Sequence, residues 1–379
     1  MKVAFNGTAM LPSLTGIGRY AREIALGLQR LPDVDAHFLY GVHWSQQVRM
    51  SAMPGASRLL PLLRNRLPGA YASRRWAQTA SIALQQARQK FDIYHEPAII
   101  ALPFRGPTVL TVHDLSWIRF PETQPRARVR MLDRYFEPGL QRASMVLTPS
   151  EFVRQELIEW FALDPSRVVS TPLAAHGDFR PRSPQETRAV LERFGLRHGH
   201  YLLAVGTLEP RKNLSTALRA YLRLPGSLRD RFPLVVVGMH GWDASGLQEQ
   251  LDPMVRSGQV KQLGYLPHHD LVNVTAGATA LVFPSVYEGF GLPPLEAMAC
   301  GVPPIVSNVA SLPEVVGDAG LQVDPHDDAA LASAMARLID DAAEHRKLAS
   351  LGIDRARSFG WDLCVQQTVA AYRSALGTA

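Results

Sequence analysis

The chain has 379 residues, 46% of them apolar and 20% charged, with a formal net charge of +6. That length allows two domains with ample cores, and the composition is that of a globular protein rather than a disordered or fibrous one. The longest apolar runs, such as Tyr201–Val205 and Leu234–Val237, are strand-sized and far short of the ~20 residues of a membrane span; the two cysteines, Cys300 and Cys364, make neither a disulfide framework nor a metal cluster.

The N-terminus opens directly on the strand-like Lys2-Val3-Ala4-Phe5 with no signal-peptide pattern. With the sparse cysteines, this points to a cytoplasmic protein. Short apolar strands then alternate with amphipathic helices, the pattern of parallel α/β sheets. Strands are expected at Val3–Asn6, Ala36–Tyr40, Ile93–His95, Thr108–Val112, Met145–Thr148 and Val168–Thr171. Helices are expected over Ile17–Leu31, Tyr71–Lys90, Arg126–Arg142 and Glu151–Phe161. Residues 42–70 show no clear period and read as a variable surface insertion.

Residues 1–184 carry 23 Lys+Arg against 14 Asp+Glu, a net of +9, whereas the remainder nets −3. Arg58, Arg64, Arg66, Arg74 and Arg75, then Arg126, Arg128, Arg130 and Arg134, supply much of the excess. These are either solvated helix faces or a surface for an anionic partner such as a lipid headgroup or a lipid diphosphate. Nucleic acid ranks last, because the chain has no zinc spacing and no aromatic-basic RNA motif.

The stretch Pro172–Pro184 is rich in turn residues and reads as an interdomain linker. A second alternation follows, with strands expected at Tyr201–Gly206, Leu234–Gly238, Val260–Leu263, Ala280–Pro284, Pro304–Ser307 and Gly320–Val323. The tail reads as helices Asp327–Ile339, Glu344–Arg357 and Trp361–Leu376. The expected fold class is α/β: two Rossmann-like, doubly wound domains facing a cleft, with ligands at the carboxyl ends of the strands.

The most informative run is Glu288-Gly289-Phe290-Gly291-Leu292-Pro293-Pro294-Leu295-Glu296. It places a glycine loop between an apolar strand and a helix N-terminus, which presents backbone N–H groups and a positive helix end to an anion. Two carboxylates beside a phosphate site need a different partner, and sugar hydroxyls suit them. A sugar–phosphate ligand follows, most simply a nucleotide sugar. Gly206-Thr207-Leu208-Glu209-Pro210-Arg211-Lys212-Asn213 also leaves an apolar strand and puts two adjacent cations where the strand ends. Diphosphate neutralisation is their direct use, although a solvated basic turn would look the same in isolation.

Weaker signals are Thr15-Gly16-Ile17-Gly18-Arg19-Tyr20 after the first strand, His113-Asp114 at the end of the strand from Thr108, and Gly264-Tyr265-Leu266-Pro267. The first is a glycine pair short of a dinucleotide fingerprint, the second equally a structural histidine, and the third equally a plain loop.

Together these residues resemble the retaining glycosyltransferases of the two-Rossmann-domain GT-B type, family 4, along nearly the whole chain. Glu288–Glu296 and Gly206–Asn213 carry the resemblance most specifically, supported by Gly177-Asp178-Phe179-Arg180-Pro181, Cys300-Gly301-Val302-Pro303 and Phe359-Gly360-Trp361-Asp362. It implies an acceptor-binding domain over residues 1–181, a nucleotide-sugar-binding domain over 182–358, and a C-terminal helix, 359–379, crossing back onto the first. It further implies catalytic roles for His113, Arg211, Lys212 and Glu288. Donor binding would fall to Gly16, Gly206, Tyr265, Leu266, Gly289, Phe290, Gly291, Leu292 and Glu296 as well as to Arg211, Lys212 and Glu288. Glu296 would hold the ribose hydroxyls.

No metal and no cofactor beyond the donor is implied, because the cation pair and the helix end replace the metal. The opening Asn6-Gly7-Thr8 with Thr15–Tyr20 is similar to bacterial mannosyl- and rhamnosyltransferases of surface polysaccharide assembly. That favours GDP-mannose or a related GDP-sugar as donor. A lipid-linked oligosaccharide would be the acceptor, at the cytoplasmic face of the inner membrane, where the protein would sit peripherally on an anionic surface. Two alternatives stay open: a soluble-acceptor synthase on the same fold using a UDP- or ADP-sugar, and a catalytically silent nucleotide-sugar-binding module.

Overall fold

The computed structural model describes residues 1–11, 16–49, 70–239, 241 and 245–377. Thr15, Arg58, Arg64, Arg66 and most of the expected insertion therefore lie outside the described residues. By internal contact the chain forms two compact units. The first comprises Met1–Asp114, Arg130–Leu173 and Trp361–Ala379, and the second Leu115–Val129 and Ala174–Gly360.

In the first unit the strands are β1 (Lys2–Asn6), β2 (Asp35–Tyr40), β3 (His43–Ser45), β4 (Ile93–Glu96), β5 (Thr108–Thr111), β6 (Met145–Thr148) and β7 (Val168–Ser170). They form one sheet in the order β3-β2-β1-β4-β5-β6-β7. All neighbouring pairs are parallel except β2 with β3, where Leu39 faces Trp44. The central strands are buried on both faces, which is why they read as continuous apolar runs.

The terminal helix Trp361–Ala375 packs in this unit against the helix Gly16–Arg30. A side chain at Gly27 would place its Cβ 2.3 Å from Val365, so only glycine allows this approach. A buried hydroxyl–imidazole chain fastens the tail further. Tyr372 Oη lies 2.6 Å from His95 Nδ1, His95 Nε2 lies 2.8 Å from Thr111 Oγ1, and Thr111 Oγ1 lies 3.0 Å from Tyr20 Oη.

Burial, with a smaller contribution from His113, pushes His95 down to about 3. The unfolded chain therefore binds a proton that the folded one refuses between about pH 6.5 and 3, and stability is lost as pH falls through that window. Comparing urea midpoints of wild type and His95→Gln from pH 7 to 4 should show a steeper acid loss in the wild type. Parallel curves would mean that His95 is not held neutral.

The second unit has β8 (Leu202–Val205), β9 (Leu234–Val237), β10 (Val260–Gly264), β11 (Ala280–Phe283), β12 (Pro304–Ser307) and β13 (Leu321–Val323). They lie in the order β10-β9-β8-β11-β12-β13, all parallel. Its core joins these strands to the helices Leu214–Arg223 and Asp328–Asp340 through Leu202, Leu218, Tyr221, Val236, Val282, Ile305 and Met335. Leu115–Val129 groups with this unit because the Leu115 N–H donates to Tyr287 Oη at 2.9 Å and Phe120 packs on the Tyr287 ring. Among the described residues no helix is long and apolar enough to cross a membrane.

Candidate active site

In the second sheet the chain proceeds outward from β8 through β9 to one edge, then returns beside β8 as β11 and continues to the other. The β8/β11 boundary is thus a topological switch point, where the loops leaving the two strands diverge and open a crevice at their carboxyl ends. The loop after β8 carries Gly206–Asn213 and the loop after β11 carries Ser285–Gly291, so the two most specific sequence runs meet at the place where the topology makes room for a ligand.

The meeting is direct. The Val286 N–H donates to the Arg211 carbonyl at 3.0 Å, and Asn213 Nδ2 donates to the carbonyls of Pro284 at 3.0 Å and Pro325 at 2.7 Å. Asn213 adopts a left-handed conformation (φ 55°), which ends the short turn Pro210–Lys212 and starts the helix from Leu214. Gly206 has φ +156°, and its N–H donates to the Val237 carbonyl.

Arg211 and Lys212 converge on Glu288. Lys212 Nζ lies 2.5 Å from Glu288 Oε1, and Arg211 Nη1 lies 3.2 Å from Glu288 Oε2. Arg211 also donates to the Tyr287 carbonyl at 2.6 Å and to Glu209 Oε1 at 2.7 Å. Two cations therefore face two carboxylates. The guanidinium is occupied on three sides, and its side chain is 10% exposed against 19% for Lys212. Lys212 is the cation that an incoming anion can reach more readily, with its ammonium also 5.3 Å from the Phe283 ring centroid. Burial pushes the Glu288 carboxyl up, but the Lys212 and Arg211 charges and the Lys212 hydrogen bond outweigh this and hold it below the ordinary carboxylate value. Glu288 is thus an anion at neutral pH, suited to accept hydrogen bonds from hydroxyls rather than donate one.

The glycine loop is braced from behind by Ser311 Oγ, which donates to the carbonyls of Glu288 and Phe290 at 2.9 Å each. Phe290 is buried against Phe359. Gly291 takes φ +106° at the start of the helix Leu292–Ala299, and a Cβ there would lie 2.7 Å from Leu312. Pro293 and Pro294 carry no N–H, so any backbone donors at this helix start come from the residues ahead of Pro293. Glu296 is buried on that helix, and its charge, after burial itself, helps push the Cys300 thiol up to about 12. Tyr265 is exposed after β10 and Leu266 is buried.

Gly16 and His113 stand in the first unit. Gly16 is the exposed first residue of its helix. His113 follows β5 and packs edge-on against Tyr20. Burial holds His113 below the ordinary imidazole value, and its Nε2–H donates to the Pro97 carbonyl at 2.8 Å, which leaves a neutral ring with Nδ1 as an acceptor for a hydroxyl.

Two family models match the chain: "Glycosyltransferase Family 4" over residues 14–174 and "Glycosyl transferases group 1" over residues 194–354. The chain is also 38% identical over 381 residues to the O-antigen chain mannosyltransferase B of Escherichia coli, covering 98% of this chain and all of that one. The chain belongs to glycosyltransferase family 4. The fold of this glycosyltransferase is also that of sucrose-phosphate synthase from Thermosynechococcus elongatus, with a TM-score of 0.76 at 20% identity over the full length of both chains. It is likewise that of Anabaena HepE in complex with UDP-glucose, with a TM-score of 0.73 at 19% identity over 99% of this chain and 100% of that one.

Sequence reasoning gave no role in the family 4 site to Glu209, Tyr287, Asn213 or Gly238. Glu209 and Asn213 both lie within Gly206–Asn213, and the only signal for Glu209 is an acid two residues before Arg211. Gly238, at φ +155°, comes so close to the loop after β8 that a Cβ would lie 1.8 Å from the Gly206 carbonyl oxygen. Nothing in the linear sequence marks that contact.

Proposed function

We propose that the protein transfers a mannosyl group, with retention of configuration, from GDP-mannose to a lipid-linked oligosaccharide during O-antigen assembly. The observation that carries this reading is the end-to-end similarity to a relative named as an O-antigen chain mannosyltransferase. The geometry at the switch point suits it: Lys212, backed by Arg211, and the amides of the glycine loop stabilise the departing diphosphate, so the transfer step requires no metal. Glu288 accepts hydrogen bonds from the donor sugar, Glu296 from the ribose, and His113 Nδ1 from a sugar hydroxyl. A front-face displacement suits this site better than a double displacement, because Glu288, the candidate nucleophile, already has its charge held by Lys212 and Arg211. The acceptor oxygen bonds to the anomeric carbon as the phosphate oxygen leaves, and that phosphate takes the acceptor proton. The rate gain is then positional and electrostatic.

Arg126, Arg128 and Arg130, with the wider basic excess before the linker, support docking on an anionic membrane at the cytoplasmic face. Vesicles with ~30% anionic lipid should sediment the protein at low salt and release it as salt screens the attraction; indifference to lipid charge would remove the membrane from the reading.

The donor is tested by a thermal-shift panel of GDP, UDP, ADP and CMP, since a ligand selective for the native state raises the melting temperature. Stabilisation by GDP alone is expected; stabilisation by UDP or ADP alone would overturn the GDP donor. In the same assay Glu296→Ala should weaken GDP by roughly tenfold, the loss of one charged hydrogen-bond acceptor, and an unchanged affinity would contradict its ribose role.

A further inference from the structure

A second cluster of chemistry-bearing side chains lies in residues that the transfer reading does not use. His176 and Asp178 belong to the turn-rich stretch that enters the second unit, and His268 is the first residue of the helix His268–Ala276. One ligand atom from each of the three lies within 4.8 Å of the other two. Asp178 Oδ2 is 3.3 Å from His176 Nδ1 and 2.9 Å from His268 Nε2. The imidazole rings meet edge-to-face at 4.8 Å, and Phe179 packs edge-on against His268. The His176, Asp178 and His268 side chains are 35%, 54% and 40% exposed, which leaves an entry path and room for water.

We propose that His176, Asp178 and His268 form a binding site for a divalent transition metal of the Zn²⁺ class, which clasps the entering stretch to the helix from His268. Two imidazoles and one carboxylate are borderline ligands that suit Zn²⁺ or Co²⁺ and not Mg²⁺, which prefers oxygen throughout. With ligand bonds of about 2.0–2.1 Å, a tetrahedral ion separates its ligand atoms by about 3.3 Å. Two edges of the triangle already lie near that value, and rotation of the partly exposed imidazoles closes the third. The carboxylate supplies the negative charge that offsets the ion, and water completes the coordination. The Asp178 N–H donates to His176 Nδ1 at 3.2 Å, a hydrogen bond to the ligating lone pair that a bound ion would displace. Two further features oppose the ion: Arg182, which donates to the Asp178 carbonyl at 3.4 Å, and the positive end of the helix at His268. They weaken the site without removing a ligand.

The test uses the full-length protein, stripped with chelator and titrated with Co²⁺ alone. One equivalent should bind, with visible d–d absorption of a low-symmetry site, and Zn²⁺ but not millimolar Mg²⁺ should displace it. His268→Gln and Asp178→Asn should each weaken Co²⁺ binding by roughly tenfold or more, because a lost ligand costs at least as much as a lost second partner of a ligand. Both variants should keep the wild-type thermal shift with nucleotide, which separates this site from the transfer site and shows that they fold. Absence of a saturable Co²⁺ signal, or a signal unchanged in both variants, would overturn the proposal and leave the cluster as an imidazole–carboxylate hydrogen-bond pair only.

Discussion

The Lys212→Ala variant is expected to fold and to turn over about 10²–10³-fold more slowly than wild type, the usual cost of removing one preorganised partner of a developing negative charge. The size follows from the local charge balance. Arg211 is held by Glu209, Glu288 and the Tyr287 carbonyl, so it has little freedom to take over the leaving diphosphate. Lys212 has Glu288 as its acidic partner at 2.5 Å and is the more exposed of the two cations. Removing it leaves Glu288 with Arg211 at 3.2 Å, so the buried carboxylate stays paired and most of the fold's stability is retained. The effect should fall on kcat more than on KM, because the charge on the departing phosphate grows towards the transition state. Single-turnover rates at saturating donor check this, and wild-type rates would remove Lys212 from the leaving group. The paired change Lys212→Ala with Glu288→Gln should restore any lost melting temperature without restoring turnover.

Gly238→Ala is expected to be the most damaging single methyl in the second unit. Its Cβ would sit 1.8 Å from the Gly206 carbonyl oxygen and 2.7 Å from the Gly206 carbonyl carbon, at a backbone φ of +155° that L-residues rarely adopt. The obstacle is backbone, so no rotamer change relieves it. The loop after β8 has to move, and with it Arg211 and Lys212. A stability loss of more than about 4 kcal/mol is expected, from overpacking and backbone strain together. Chemical denaturation measures it, with Gly246→Ala as the control, since that position has open space around it. A loss under about 1 kcal/mol would mean that the two loops are not held together as described.

The strands were legible where they are buried on both faces. Met145–Thr148 and Pro304–Ser307 appear in the structure with the bounds read from sequence. The short edge strand His43–Ser45 was not, because three half-exposed residues carry neither an apolar run nor an alternation long enough to see. The site divides in the same way. Residues 206–213 and 288–296 announce themselves because glycine, base and acid spacing is local. Asn213 and Gly238 act through strands that are distant in sequence and adjacent only in the sheet, so their roles arise from the strand order. Tyr287 reads as a plain apolar residue beside Glu288, yet its carbonyl holds Arg211 and its hydroxyl accepts the Leu115 N–H.

The reaction proposed is retaining mannosyl transfer from GDP-mannose at the β8/β11 switch point. NMR of the product formed from GDP-mannose and a lipid-linked mannose-terminated oligosaccharide, with no metal added and chelator present, tests it most directly. An α-mannoside formed together with one equivalent of GDP is expected. A β-linked product, or transfer from a UDP- or ADP-sugar with none from GDP-mannose, would contradict it.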